Sequence, residues 1–386
     1  MRVNILIFFV FVVGSQVLGQ NKSIDSLKNL YSSTESPSER IALKCKISQG
    51  YTEIGDFKKA GKVADEALLE AEQLEDKKGK GLAFYTLARL NQYMRDWDKA
   101  LIYHYQAIQL FDEIKADEEL AWSYLNMGIA FHAQSDYKRA IRYDNKALDI
   151  FSKIEHRKGV AYSYLNLGLA LNDNGSRDTA FAKLADAKRI CIEIGDQRGV
   201  GYVHNIKGDI LLKSGDLEEA LIEAEDCIVI REKENDKLDL AFLYGNKSNI
   251  YFQQGKLKKA EEALVVAENM GLEIKADLAL KKLYLTWSKL DSLNGDYKAA
   301  HDHFKKYSSY ATVIIEQERE RSEAALEYAF KKEQAEKEEE LRNEIEEVMS
   351  SYGADVADGS NKQLALLATG SVIILLLLVV LFKKKK

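Results

Sequence analysis

Seven alanines recur at a forty-residue step: Ala60, Ala100, Ala140, Ala180, Ala220, Ala260 and Ala300. A step held through seven blocks without an insertion restricts the chain to like units stacked in a line, because no single unit of that size can bury its own apolar face. With each block counted from Ile41 as column 1, the alanines fill column 20. Column 27 reads Ala67, Ala107, Ala147, Ala187, Cys227, Ala267 and Tyr307. Column 8 is small throughout: Ser48, Ala88, Gly128, Gly168, Gly208, Ser248 and Ser288. Column 4 is mostly aromatic (Phe84, Tyr124, Tyr164, Tyr244 and Tyr284), with Lys44 and His204 as exceptions. Residues 123–130 read SYLNMGIA and residues 163–170 read SYLNLGLA, so one phrase returns nearly intact.

The chain has 386 residues and a single proline, Pro37, which points to an all-α fold. Each block predicts two helices, at columns 1–14 and 18–33. Turns such as GDF at 55–57, SDY at 135–137, GDL at 215–217 and GDY at 295–297 join them. Small residues at columns 8 and 20 let two helix backbones approach, and the column 4 aromatic fills the space beside them.

This column pattern resembles the tetratricopeptide repeat: aromatic at 4, large at 7, small at 8, large at 11, and alanine at 20 and 27. The forty-residue spacing is similar to the long-helix class of kinesin-light-chain-like and bacterial regulatory repeats. The resemblance covers residues 41–307 and implies a right-handed α-solenoid of about seven helix-turn-helix repeats. It departs from the family in lacking the proline near column 32, whose place a longer segment between repeats would take. The first block, with Lys44 and Ser48, fits least well.

The ends read differently. Residues 1–19, MRVNILIFFVFVVGSQVLG, have the layout of a secretory signal peptide. Residues 20–40 read as an unpaired helix followed by a cap, with Ser36, Pro37 and Glu39 forming a capping box. Residues 308–350 read as a long charged helix. Leu341, Ile345, Val348 and Tyr352 are spaced as a short coiled-coil seam, through which a homodimer could form. A polar linker at 351–363 leads to 364–382, nineteen residues without a charge, long enough for a transmembrane helix. Four lysines follow at 383–386 and place that end in the cytoplasm. The array is then extracytoplasmic, periplasmic in a bacterium. The same lysines also match a dilysine signal of an endoplasmic reticulum membrane protein, the alternative localisation.

Composition removes several functions. The formal net charge is −6 and becomes −11 once Arg2 and the four terminal lysines are set aside. An acidic body disfavours nucleic acid. No nucleotide loop, metalloprotease motif or nucleophile elbow is present. His301 and His303, two apart, point away from one another on a helix and read as surface or turn-facing residues. Cys45, Cys191 and Cys227 are an odd, scattered set that reads as small apolar residues. No catalytic residue, metal site or cofactor is expected.

Binding is the function left. Columns 2, 6 and 9 share one side of the first helix, and in a stacked array that side lines the concave face. Column 2 supplies Trp122, Tyr162, Tyr202 and Phe242, which could equally pack between neighbouring helices. Column 6 supplies Asn126, Asn166 and Asn246, with Ile206 interrupting the ladder. Asparagine donates and accepts together, so it suits a peptide main chain of any sequence. The resemblance also implies that these column 6 asparagines bind peptide main chain. The expected partner is a protein or peptide segment, held in signalling or complex assembly. The order of parts is similar to bacterial membrane sensors whose repeats precede a kinase or transcription-regulator output. The alternative is therefore a sensor half whose output domain is missing or supplied in trans.

Overall fold

The computed structural model describes residues 16–317 and 319, with side chains from residue 24. These belong to the first of two compact units, Met1–Ala325. Among the described residues every regular element is an α-helix. The helices are α1 (Gln16–Ser33), α2 (Pro37–Glu53), α3 (Phe57–Gln73), α4 (Lys77–Tyr93), α5 (Trp97–Glu113), α6 (Asp117–Ala133), α7 (Tyr137–Lys153) and α8 (Arg157–Asp173). They continue with α9 (Arg177–Glu193), α10 (Gln197–Ser214), α11 (Leu217–Glu234), α12 (Lys237–Gln253), α13 (Leu257–Glu273) and α14 (Asp277–Leu293). A last described helix, α15, covers 297–317. From α2 onward they pair as seven helical hairpins.

The forty-residue period holds, but the helix limits differ from the sequence expectation. Helices start every twenty residues, and the first helix of each repeat begins four residues before column 1. No longer segment separates repeats; the turn between repeats is as tight as the turn within one. All thirteen turns use one device. The second residue after the helix, or the first after α10 and α11, adopts a left-handed conformation, at Gly55, Glu75, Arg95 and every twentieth position to Gly295. The next N–H then reaches back five residues, as from Asp56 to Tyr51 O at 2.9 Å and from His156 to Phe151 O at 2.8 Å. This is the Schellman closure of a helix. The residue making that bond also caps the next helix: Asp56, Asp76, Asp96, Asp136, Asp196 and Asp236 each accept from the N–H three residues on. A chain that ends and restarts a helix within three residues needs no proline.

Columns 8 and 20 meet as the small residues require. Ser48 Oγ donates to Ala60 O at 2.7 Å, Ser248 Oγ to Ala260 O at 2.9 Å and Ser288 Oγ to Ala300 O at 2.8 Å. Where column 8 is glycine, an added Cβ would stand 3.3 Å from the same carbonyl at Ala140 for Gly128 and at Ala180 for Gly168, and 3.9 Å from it at Ala220 for Gly208. The column 20 alanines are buried, as are the column 27 residues through Ala267. Column 4 packs across the hairpin, with Phe84 stacked on Tyr103 and Tyr124 on Tyr143. Lys44, the exception, pairs with Glu70 at 2.8 Å.

Successive first helices pack on one another (α2 on α4, α4 on α6, α6 on α8, α8 on α10, α12 on α14), while successive second helices do not to a comparable degree. The array therefore curves with its first helices on the inside. α10 and α12 are the break in that inner row.

Helix α1 packs on α2, with Ile24 buried against Gly50, so it caps the array rather than standing unpaired. Ser36 accepts from the Glu39 N–H and Pro37 opens α2, as the capping motif requires. No helix of the described residues is long and apolar enough to cross a membrane. The transmembrane stretch 364–382, the coiled-coil seam and the core of the signal peptide lie outside the described residues.

Candidate peptide-binding groove

The inner face carries columns 2, 6 and 9 of the first helices. Column 2 forms a run of rings. Trp122 meets Tyr162 edge-on at 6.4 Å, and Tyr162 meets Tyr202 edge-on at 6.3 Å. Each ring is half-buried. Part of that burial is structural, since Trp122 also stands edge-on to Phe151 at 4.9 Å and to His156 at 5.9 Å. Phe242 lies apart from this run, with the Lys282 ammonium 5.3 Å from its ring centre. In the fifth repeat the Arg231 guanidinium sits 5.1 Å over Tyr202, in the column that holds Phe111 and Phe151 elsewhere. It is buried and neutralised by Glu234 at 2.6 Å and Asp239 at 2.9 Å.

The three asparagines are half-buried on the inner face but are not equivalent. Asn126 Nδ2 donates to Trp122 O at 2.8 Å and to Tyr85 Oη at 2.9 Å, so its amide hydrogens tie α6 to α4 and Oδ1 is left to accept. Asn166 Nδ2 is buried and faces the Asp144 carboxyl, which it favours in the charged form, without a hydrogen bond of ordinary geometry. Asn246 Nδ2 makes one long bond to Asp209 Oδ1, at 3.5 Å. Ile206 is buried and interrupts the ladder beside the break between α10 and α12.

Sequence reasoning missed the polar floor beneath this ladder. Tyr85, Arg89 and Tyr93 come from α4 at columns 5, 9 and 13. Burial raises the Tyr85 and Tyr93 phenols, with the Arg89 charge opposing it. Behind the floor, His104 and Asp144 occupy column 24 of consecutive repeats. His104 is fully buried with no partner for either ring nitrogen, and burial, aided by the Arg89 charge, pushes its imidazole down to about 3. Burial raises the Asp144 carboxyl well above the usual carboxylate range, and its Oδ1 is unpartnered. A polar residue at column 24, where Leu184 and Leu264 stand in other repeats, was the available signal.

No group of acidic, histidine and cysteine side chains among the described residues could hold a metal ion. The three cysteines are buried and free, and burial pushes Cys45 and Cys227 up to about 12 and Cys191 to about 11. His303 is not a plain surface residue: its Nδ1 lies 2.6 Å from Asp291 Oδ2 and its ring stacks on Trp287 at 4.8 Å.

Residues 82–153 match the tetratricopeptide repeat model. Those residues are tetratricopeptide repeats, and the other hairpins of the array share their helix-turn-helix fold. Solved structures of the same fold include the apo form of RapI, with a TM-score of 0.55 at 15% identity, covering 72% of this chain and 99% of that one. Aspartyl phosphate phosphatase F from Bacillus subtilis gives 0.54 at 16% identity, covering 70% and 71%. A Rap protein complexed with Competence and Sporulation Factor gives 0.50 at 14% identity, covering 78% and 99%. These likenesses are of fold. No curated protein matches the chain.

Proposed function

We propose that the chain is a membrane-anchored, extracytoplasmic module that holds a peptide or protein segment in the hollow lined by its first helices. The observation that carries this reading is the unfinished polar surface of that hollow. Asn166 Nδ2 faces Asp144 without a hydrogen bond of ordinary geometry, Asn246 has one long bond, and both lie beside half-buried aromatic rings. A buried amide without a well-formed hydrogen bond costs free energy, and a main chain laid along the ladder would satisfy it. The Rap protein of the same fold complexed with Competence and Sporulation Factor supports the choice of ligand class. The anchor and the compartment rest on the sequence of the two ends. Signalling or complex assembly follows as the role of such a module.

The test is capture of membrane-extract proteins by the full-length chain and by Asn166→Ala with Asn246→Ala. Asn126 is left intact because its amide ties two helices together. Proteins held by the wild type should be lost from the variant while the thermal melt stays within a few degrees. Equal recovery by both would reject the groove.

A further inference from the structure

The inner row of first helices breaks between α10 and α12, and column 5 marks the place. It holds Leu125 and Leu165 in the third and fourth repeats, both buried, then Asn205 and Gly245 in the fifth and sixth. Asn205 is half-buried, and a Cβ added at Gly245 would meet nothing within 4 Å. Surfaces that do not touch forgo the dispersion attraction of a packed contact. Asn246 Nδ2 reaches across this inner side to Asp209 Oδ1, at a long 3.5 Å. Other inner joints are drawn tighter. Asn126 Nδ2 to Tyr85 Oη and Gln92 Nε2 to Asn126 O, both at 2.9 Å, tie α6 to α4. His132 Nε2 and Asp173 Oδ2, also 2.9 Å apart, tie α6 to α8.

The outer side of the same joint is closed. Cys227 and Ile228 of α11 share a buried cluster with Leu240 and Leu243 of α12. Arg231 pairs with Asp239 and Lys247 with Glu225, each at 2.9 Å, and Tyr244 Oη donates to Glu232 Oε1 at 3.1 Å. A joint fastened along one edge and open along the other has a pivot and room to turn about it. Such a turn breaks few buried contacts, so it costs little free energy.

We infer that the joint between the fifth and sixth repeats is a hinge. The last two repeats swing about the α11–α12 seam, and the inner edges of α10 and α12 open and close. Trp122, Asn126, Tyr162 and Asn166 lie on one side of the hinge, and Phe242 and Asn246 on the other. The swing therefore sets how far Asn246 stands from the other two asparagines, across the buried Ile206. That closure clamps a bound segment rests on the peptide-binding reading above; the hinge is a property of the free chain.

The test is double electron–electron resonance between nitroxide pairs on the full-length chain in detergent, with no ligand present. Column 13 supplies exposed positions at equal spacing, Ala133, Lys213 and Leu293, each eighty residues from the next. The native cysteines are buried, and the chain without introduced cysteines serves as the labelling blank. Ala133→Cys with Lys213→Cys lies wholly on one side of the hinge and should give a narrow distance distribution. Lys213→Cys with Leu293→Cys crosses the hinge and should give one about twice as wide. Adding Gly245→Leu, which restores the column 5 residue of the third and fourth repeats, should narrow the second distribution to the width of the first with helicity unchanged. Equal widths for the two pairs in the wild-type background would overturn the hinge. So would a wide second distribution that a folded Gly245→Leu chain leaves as it was. No ligand enters the measurement, so a failed capture test rejects the groove and leaves the hinge, while equal widths reject the hinge and leave the groove.

Discussion

Acidification offers a direct reading of the buried polar layer. His104 of α5 is buried against Tyr85 of α4 with both ring nitrogens unpartnered, so only its neutral form fits. Its imidazole sits at about 3 in the folded chain, against about 6.5 when unfolded. A lowered folded value means that stability is complete above pH 6.5 and drains away as pH falls towards 3. At pH 5 the unfolded state has gained about 1.5 pH units of protonation free energy that the folded state cannot match. At 1.36 kcal/mol per unit, this single side chain costs about 2 kcal/mol. The measurement is urea unfolding of the full-length wild type and of His104→Leu, at pH 7 and at pH 5, followed by helical circular dichroism. Other groups that titrate in this interval are common to both proteins and cancel in the comparison. The wild type should lose about 2 kcal/mol more than the variant between the two pH values. At pH 7 the leucine variant should be at least as stable, since it removes two unpartnered nitrogens. Parallel pH dependence in the two proteins would show that His104 is solvated or paired, and the dry polar layer would be wrong.

Three further outcomes are expected. Gly168→Ala should cost about 1–3 kcal/mol by overpacking in thermal or urea unfolding, because the added Cβ would stand 2.7 Å from Leu184 Cδ2 and 3.3 Å from Ala180 O. Lys115→Gly should gain about 1 kcal/mol in the same measurement, because Lys115 holds a φ of 58° that a side chain resists. Iodoacetamide at pH 8 should leave Cys45 and Cys227 unlabelled in the folded chain, as burial raises both thiols to about 12, and should label them in urea.

The stacking was legible because it depends on residue size at fixed spacing. Seven alanines and a small residue at column 8 leave room for a helix contact, and that contact is where the sequence implies it. Helix limits were less so, because the closing turn is set by backbone conformation. Glu75, Arg95, Lys115, Ser135 and Glu155 hold the left-handed position as well as Gly55 does, at a cost in backbone strain, so composition does not mark it. The groove was legible as a face and not as chemistry. Asn126, Asn166 and Asn246 share a column, yet their bonding depends on neighbours forty residues away, such as Tyr85 and Asp209. His104 and Asp144 were passed over because a polar side chain in one column says nothing of its solvation until the adjacent helices are in place.

The uniform twenty-residue beat makes length changes in this chain sharply selective. Since each turn is built like every other, removing forty consecutive residues would rejoin compatible ends and yield a shorter coil of the same kind. Removing twenty would satisfy the turns equally well but exchange inner helices for outer ones downstream, burying convex side chains and exposing the floor. Copies gained or lost in pairs of helices are therefore the cheap route by which such a hollow could change its reach.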